Sequence, residues 1–125
     1  MNRDELKKKV PILSGQFIDS KGWVSSIDLL MALGWLTQKD LLNWRYGRVP
    51  YLEKAVSVNL SKISFAMKTF RSWAKHSKLK PSQTVYKKKG HFLRFSKNGI
   101  SNIERAYQTH FVHTSKIKKI NNSAS

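Results

Sequence analysis

The chain has 125 residues, with 24 Lys and Arg set against 7 Asp and Glu, for a formal net charge of +17. Hydrophobic residues make up 40% of it, including four Trp, four Tyr and six Phe, which is enough apolar surface for one compact core and excludes a wholly disordered basic chain. Cysteine is absent, so disulfides, thiol catalysis and cysteine-type zinc sites are excluded. The start, Met1 to Lys9, is charged and carries no secretory signal, and no apolar run approaches the ~20 residues needed to cross a bilayer. The composition predicts a cytoplasmic, nucleoid-associated protein without a membrane partner. Self-repulsion of this size is relieved by a polyanion, and a phosphate backbone supplies one through counterion release.

Residues 1–21, with Pro11 and Gly15 interrupting a short apolar stretch, read as an N-terminal basic arm rather than a regular element. From Ser26 the residues Ile27, Leu29, Leu30, Leu33 and Trp35-Leu36 recur at helical spacing, with Asp28 in the first turn and Gly34 as the stop. Thr37 and Asp40 have the spacing of a capping box, which predicts a second helix from about Lys39 to Tyr46-Gly47. Pro50 then favours a short helical piece through Tyr51, Leu52 and Ala55. Asn59 is a cap residue for the strongest helix, 59–75, whose apolar stripe is Leu60, Ile63, Met67, Phe70 and Trp73 or Ala74. Its other face carries Ser61, Ser64, Lys68, Arg71, Lys75 and, past the end, Lys78. Positions 64, 68, 71, 75 and 78 step by four and three and fall in one line.

Thr84-Val85-Tyr86 and Phe92-Leu93-Arg94-Phe95 flank Lys87-Lys88-Lys89-Gly90-His91, which predicts a β-hairpin with lysines at its tip. Ser101 and Glu104 form a second capping-box pattern, opening a helix through Tyr107 that closes the domain. The segment 113–125 has little to bury and reads as a disordered basic tail. The domain proper is then 22–112.

Helices followed by a lysine-bearing hairpin give the element order of a winged helix-turn-helix, and the fold expected is mainly α with a small β-hairpin, a single domain of that kind. The 59–75 helix would be the recognition helix. Ser61, Ser64, Lys68 and Arg71 would point at DNA, with Arg71 placed for a guanine and Lys68 for a phosphate, and Lys75 and Lys78 continue the nucleic-acid-binding line. Lys87, Lys88, Lys89 and Arg94 would meet phosphates or the minor groove, and Arg48 a phosphate. The plainer reading of such a face is solvation alone, which the charge of the whole chain disfavours.

The string Trp44 to Glu53 mixes aromatics with Arg45 and Arg48, a pairing on which unpaired bases stack. The alternative favoured here is structural: Trp44, Val49, Tyr51 and Leu52 join two helices, and Glu53 pairs with Arg45 or Arg48. His110 and His113 stand three apart, but with His76, His91 and no cysteine they make a poor metal set. The seven acids are scattered, and neither a phosphate-cradling glycine loop nor a nucleophile elbow is present. No catalytic residue, metal or cofactor is expected, and the chain does not read as an enzyme.

The reading is a protein that binds double-stranded DNA, in transcriptional regulation or DNA organisation, with a homodimer as one form. Two alternatives stand beside it. One is an RNA-binding subunit of a ribonucleoprotein, as in a mobile-element or antiphage defence system. The other is an adaptor or antitoxin whose partner is an acidic protein.

The strings Gly22-Trp23-Val24, Leu33-Gly34-Trp35-Leu36, Trp44 to Glu53, Leu93 to Lys97 and Ile103 to Tyr107 resemble a group of small, uncharacterised bacterial proteins across residues 22–112. The resemblance implies a bacterial source and adds no catalytic residue.

Overall fold

The fold is that of a computed structural model, in which the backbone is described for residues 1–124 and side chains through Lys119. The elements in order are α1 (Arg3–Lys21), β1 (Trp23–Val24), α2 (Ser26–Ala32), α3 (Gln38–Arg45), α4 (Leu52–Ala55) and α5 (Leu60–His76). Then come β2 (Lys80–Gln83), β3 (Lys87–Lys88), β4 (His91–Phe92), α6 (Ser101–Gln108), β5 (Thr109–Val112) and α7 (Thr114–Ala124). The chain is mainly helical with a small antiparallel sheet.

The expected N-terminal arm is instead the longest helix. Leu6, Val10, Ser14 and Ile18 step by four and are buried, and α1 packs along α5. Pro11 stands inside the helix and removes a backbone bond at a cost of about 3 kcal/mol. Burial of Leu6 and Val10 (both 0% exposed) and Ile18 (5%) offsets this, at about 1.5–3 kcal/mol for each side chain. The apolar stripe was hidden in the sequence because Ser14 occupies one of its four positions. Asn2 caps the start by accepting from Glu5 N at 2.9 Å.

The next helices follow the sequence signals. Ser25 and Asp28 form a reciprocal capping box at α2, with bonds of 2.9 and 3.0 Å. Gly34, at φ 78°, ends that helix as expected. Thr37 caps α3, accepting from Asp40 N at 3.1 Å, and Asn59 caps α5, accepting from Lys62 N at 2.9 Å. Ile63, Ala66, Met67, Phe70 and Ala74 form the buried face of α5, whereas Leu60, expected in that stripe, is 58% exposed. The α5 helix ends in the same motif as α2, with Leu79 N donating to Ala74 O at 3.1 Å and Lys78 N to Lys75 O at 3.1 Å.

The sheet was the least expected part. Its order is β1-β5-β2, all antiparallel, with Trp23 opposite Val112 and Pro81 opposite Phe111. Pro81 is tolerated because β2 is an edge strand, where a missing donor need not break a ladder. The expected closing helix, α6, runs into β5, the central strand. Its expected Ser101–Glu104 capping box is not formed. Ile100 occupies the cap position without a side-chain bond, and Glu104 instead accepts from Phe95 N at 2.8 Å, from Ser96 N at 3.0 Å and from the Ser96 hydroxyl at 3.1 Å.

The segment expected to be a disordered tail forms α7 over Thr114–Ala124, with Ser125 outside the described residues. His113 Nδ1 accepts from Lys116 N at 3.1 Å and so caps it, and Lys116 pairs with Asp19 on α1. Ile117 lies so close to Gly22 that a Cβ there would stand 2.9 Å from its Cα. Gly22 also carries φ 82°, so two independent constraints require glycine at that position.

Candidate nucleic-acid interface

The α5 helix presents two chemically opposite faces. The buried face holds it on α1 and the core. On the other side Ser61, Ser64, Lys68, Arg71 and Lys75 are all exposed, and so is Lys78 beyond the helix end. Among the described residues the ion pairs are Lys21–Asp28 and Lys116–Asp19, so the α5 cations have no carboxylate partner within 4.0 Å. Lys78 carries φ 57°, a left-handed conformation that turns the chain away from the helix axis before β2.

Ser64 and Arg71 also line a cleft of about 370 Å³ between α5 and α6. Leu60, Met67, Ile103 and Ala106 give it apolar walls, and Lys97, Asn98 and Asn102 give it a polar rim. Glu53 reaches the same cleft. Its carboxylate accepts from the Tyr107 hydroxyl at 2.5 Å and from Lys97 N at 3.4 Å, which corrects the expected pairing with Arg45 or Arg48. Burial, the bond to Glu53 and the charges of Glu53 and Glu104 all push the Tyr107 hydroxyl well above the ordinary tyrosine range.

The lysine hairpin is present but shorter than expected. Its paired residues are Lys87 with Phe92 and Lys88 with His91, and Leu93 N donates to Tyr86 O at 2.8 Å. The tip is Lys89-Gly90, with successive φ values of 49° and 82°, the signature of a tight type I′ turn. The hairpin is anchored on α3 rather than on α5. Trp44, fully buried, donates through Nε1 to Arg94 O at 2.7 Å and packs on Tyr86 and Phe95. Lys88 bonds the Tyr46 carbonyl at the end of α3.

The expected site residues thus fall into two groups. Ser61, Ser64, Lys68, Arg71 and Lys75 share the outer side of α5. Lys87, Lys88, Lys89 and Arg48 gather around the hairpin and the α3 turn, where Arg48 lies over the Tyr46 ring at 5.3 Å and bonds Asn43 Oδ1 at 3.3 Å. Arg94 is exposed where the hairpin leaves toward Ser96, to whose carbonyl it donates at 3.2 Å.

Phe92 was missed as a surface residue. It is 67% exposed and lies under Lys87 Nζ at 4.7 Å. The signal available in the sequence was the turn: once Lys89-Gly90 is the tip, strand alternation turns Phe92 outward and leaves Leu93 to face α3.

The histidines have structural neighbours. His110 Nε2 shares a hydrogen bond of 2.9 Å with the Tyr86 hydroxyl, and its ring stacks on Trp23 at 4.9 Å. Desolvation, with Lys21 adding to it and Asp28 opposing, lowers its pKa from 6.5. No group of three or more metal-ligating side chains comes together among the described residues. No helix among them is long and apolar enough to cross a membrane.

Comparison with known protein families, with curated proteins and with solved structures finds no match. The functional reading therefore rests on the chemistry of these surfaces.

Proposed function

We propose that the protein binds double-stranded nucleic acid, DNA in the first instance, through the outer face of α5. The observation that carries this reading is the line Ser64, Lys68, Arg71 and Lys75, exposed on a rigid 17-residue helix and without carboxylate partners within 4.0 Å among the described residues. A helix is about 10–12 Å across with its side chains, which fits a major groove about 12 Å wide. Arg71 is suited to a bidentate contact with guanine, and Lys68 and Lys75 to phosphates.

A winged helix-turn-helix form of this reading draws support from connectivity. A strand follows the α5 helix, pairs with β5, and leaves β1 on the far edge of β5. The long β2-to-β5 connection, holding the lysine hairpin and α6, occupies the place of a wing. Two features depart from the simplest version: four helices rather than two lie between β1 and β2, and the hairpin rests on α3. Regulation of transcription and organisation of DNA both follow from such binding.

The test is fluorescence anisotropy with a duplex and a structured RNA of matched length. Lys68→Ala and Arg71→Ala each weaken duplex binding more than Lys118→Ala on α7 does. Equal losses from all three variants would remove α5 as the reader, and stronger binding of RNA would replace duplex DNA as the target.

A further inference from the structure

We infer that the outer face of the β3–β4 hairpin is a second nucleic-acid site, which takes unpaired nucleotides by stacking a base on Phe92. This face lies outside α5. Phe92 is the most exposed large hydrophobic side chain among the described residues, at 67%, and Val85, two residues before β3, is 52% exposed. The pairing of Lys87 with Phe92 and of Lys88 with His91 sorts the hairpin into two faces. Tyr86 and Lys88 turn toward α3, where Tyr86 packs on Trp44 and Lys88 reaches the Tyr46 carbonyl. Alternation then places Lys87 and Phe92 on the outward face, with Arg94 exposed two residues beyond Phe92.

An occupant of this face has to cover an exposed phenyl ring while tolerating cations at its edge. A nucleobase with its phosphates meets both needs, because every base has a π-face and every link carries a negative charge. Lys87 already caps one side of the Phe92 ring at 4.7 Å, leaving a cation–ring–base sandwich as the bound arrangement. Lys87, Lys89 and Arg94 are exposed and have no carboxylate within 4.0 Å among the described residues. A second pair of the same kind, Tyr46 at 53% exposure beneath Arg48, stands on the α3 turn that Lys88 grips.

The position of Phe92 favours unpaired bases over a wedge driven into a duplex. The tip of the hairpin is Lys89-Gly90, so Phe92 lies on the flat face one pair back from the leading edge. A wedge residue has to enter the base stack first. A flat aromatic face flanked by cations instead suits bases that are already splayed out.

The experiment uses the full chain, a labelled oligo-thymidine and a labelled duplex of matched length, followed by anisotropy. Phe92→Ala is expected to weaken single-strand binding about ten-fold or more and leave duplex binding within about two-fold, while Phe92→Trp restores it. Being on the surface, the alanine variant keeps the parent melting temperature, which is measured alongside. Unchanged single-strand affinity, an equal loss on both ligands, or no rescue by Trp would overturn the inference. So would a change in sedimentation with Phe92→Ala, which would make a second copy of the chain the occupant. Loss of duplex binding in α5 variants bears only on the α5 reading, so the two can fail separately.

Discussion

The Tyr107 hydroxyl donates to the Glu53 carboxylate at 2.5 Å, tying α6 to α4 at the cleft that Arg71 also lines. The bond turns Glu53 toward α6, and Arg45, Arg48 and Arg71 have no carboxylate within 4.0 Å among the described residues. Tyr107→Phe removes the donor and leaves the carboxylate partly desolvated, so it costs about 1–2 kcal/mol of folding stability. Denaturant unfolding measures it.

The same residue sets a pH dependence. Its hydroxyl is pushed above the unfolded value of 10.0, so the folded chain holds a proton that the unfolded chain releases. Stability from this source is complete below pH 10 and is lost as pH rises further. Thermal melts through that range should fall more steeply for the parent than for Tyr107→Phe, and parallel curves would contradict the linkage.

His110 acts in the opposite pH direction. Its pKa is lowered from 6.5 by desolvation first, then by Lys21, so below 6.5 the unfolded state takes up a proton that the folded state resists. Stability is therefore held above that pH and declines as pH falls. His110→Gln should show a shallower decline in melting temperature between about pH 7.5 and pH 5. An equally steep decline would place the acid sensitivity elsewhere.

Lys78 and Gly34 occupy the same left-handed position after α5 and α2, at φ 57° and 78°. A side chain in that conformation costs about 1 kcal/mol, and nothing lies within 4 Å of a Cβ added at Gly34, so backbone strain alone decides there. Gly34→Ala should destabilise by about 1 kcal/mol, and Lys78→Gly should stabilise by about 0.5 kcal/mol. If Lys78 meets a phosphate, the glycine variant gains stability while losing affinity, which calorimetry and anisotropy on one sample would separate.

Helices α2, α3 and α5 were legible because each announces itself twice, by an apolar period and by a cap or a stop, whereas α4, four residues without a side-chain cap, was read from Pro50. Thr37, Asn59 and Gly34 behave as their residue types require. Helix α1 was obscured by Pro11 and Ser14, since local propensity opposed it and only burial against α5 decides it. The sheet was obscured for a different reason. Strands of two to four residues have too few positions for alternation to register, and β5 begins where α6 ends with no turn residue between them. On the surface, the basic line of α5 could be read from spacing alone. The outward setting of Phe92 depended on the register of the hairpin, and the cleft beside Arg71 depended on where α6 docks.

The central claim is that the outer face of α5 meets a bound duplex, with Lys68 and Lys75 on phosphates and Arg71 on a base. The most direct measurement is a salt titration of duplex affinity for the parent chain and for the Lys68→Ala, Arg71→Ala, Lys75→Ala triple variant. Each phosphate contact contributes about 0.9 to the slope of log affinity against log salt. The account predicts a slope shallower by about 2 in the variant, with melting temperatures alike. Parallel slopes would mean that the exposed face of α5 does not meet the duplex.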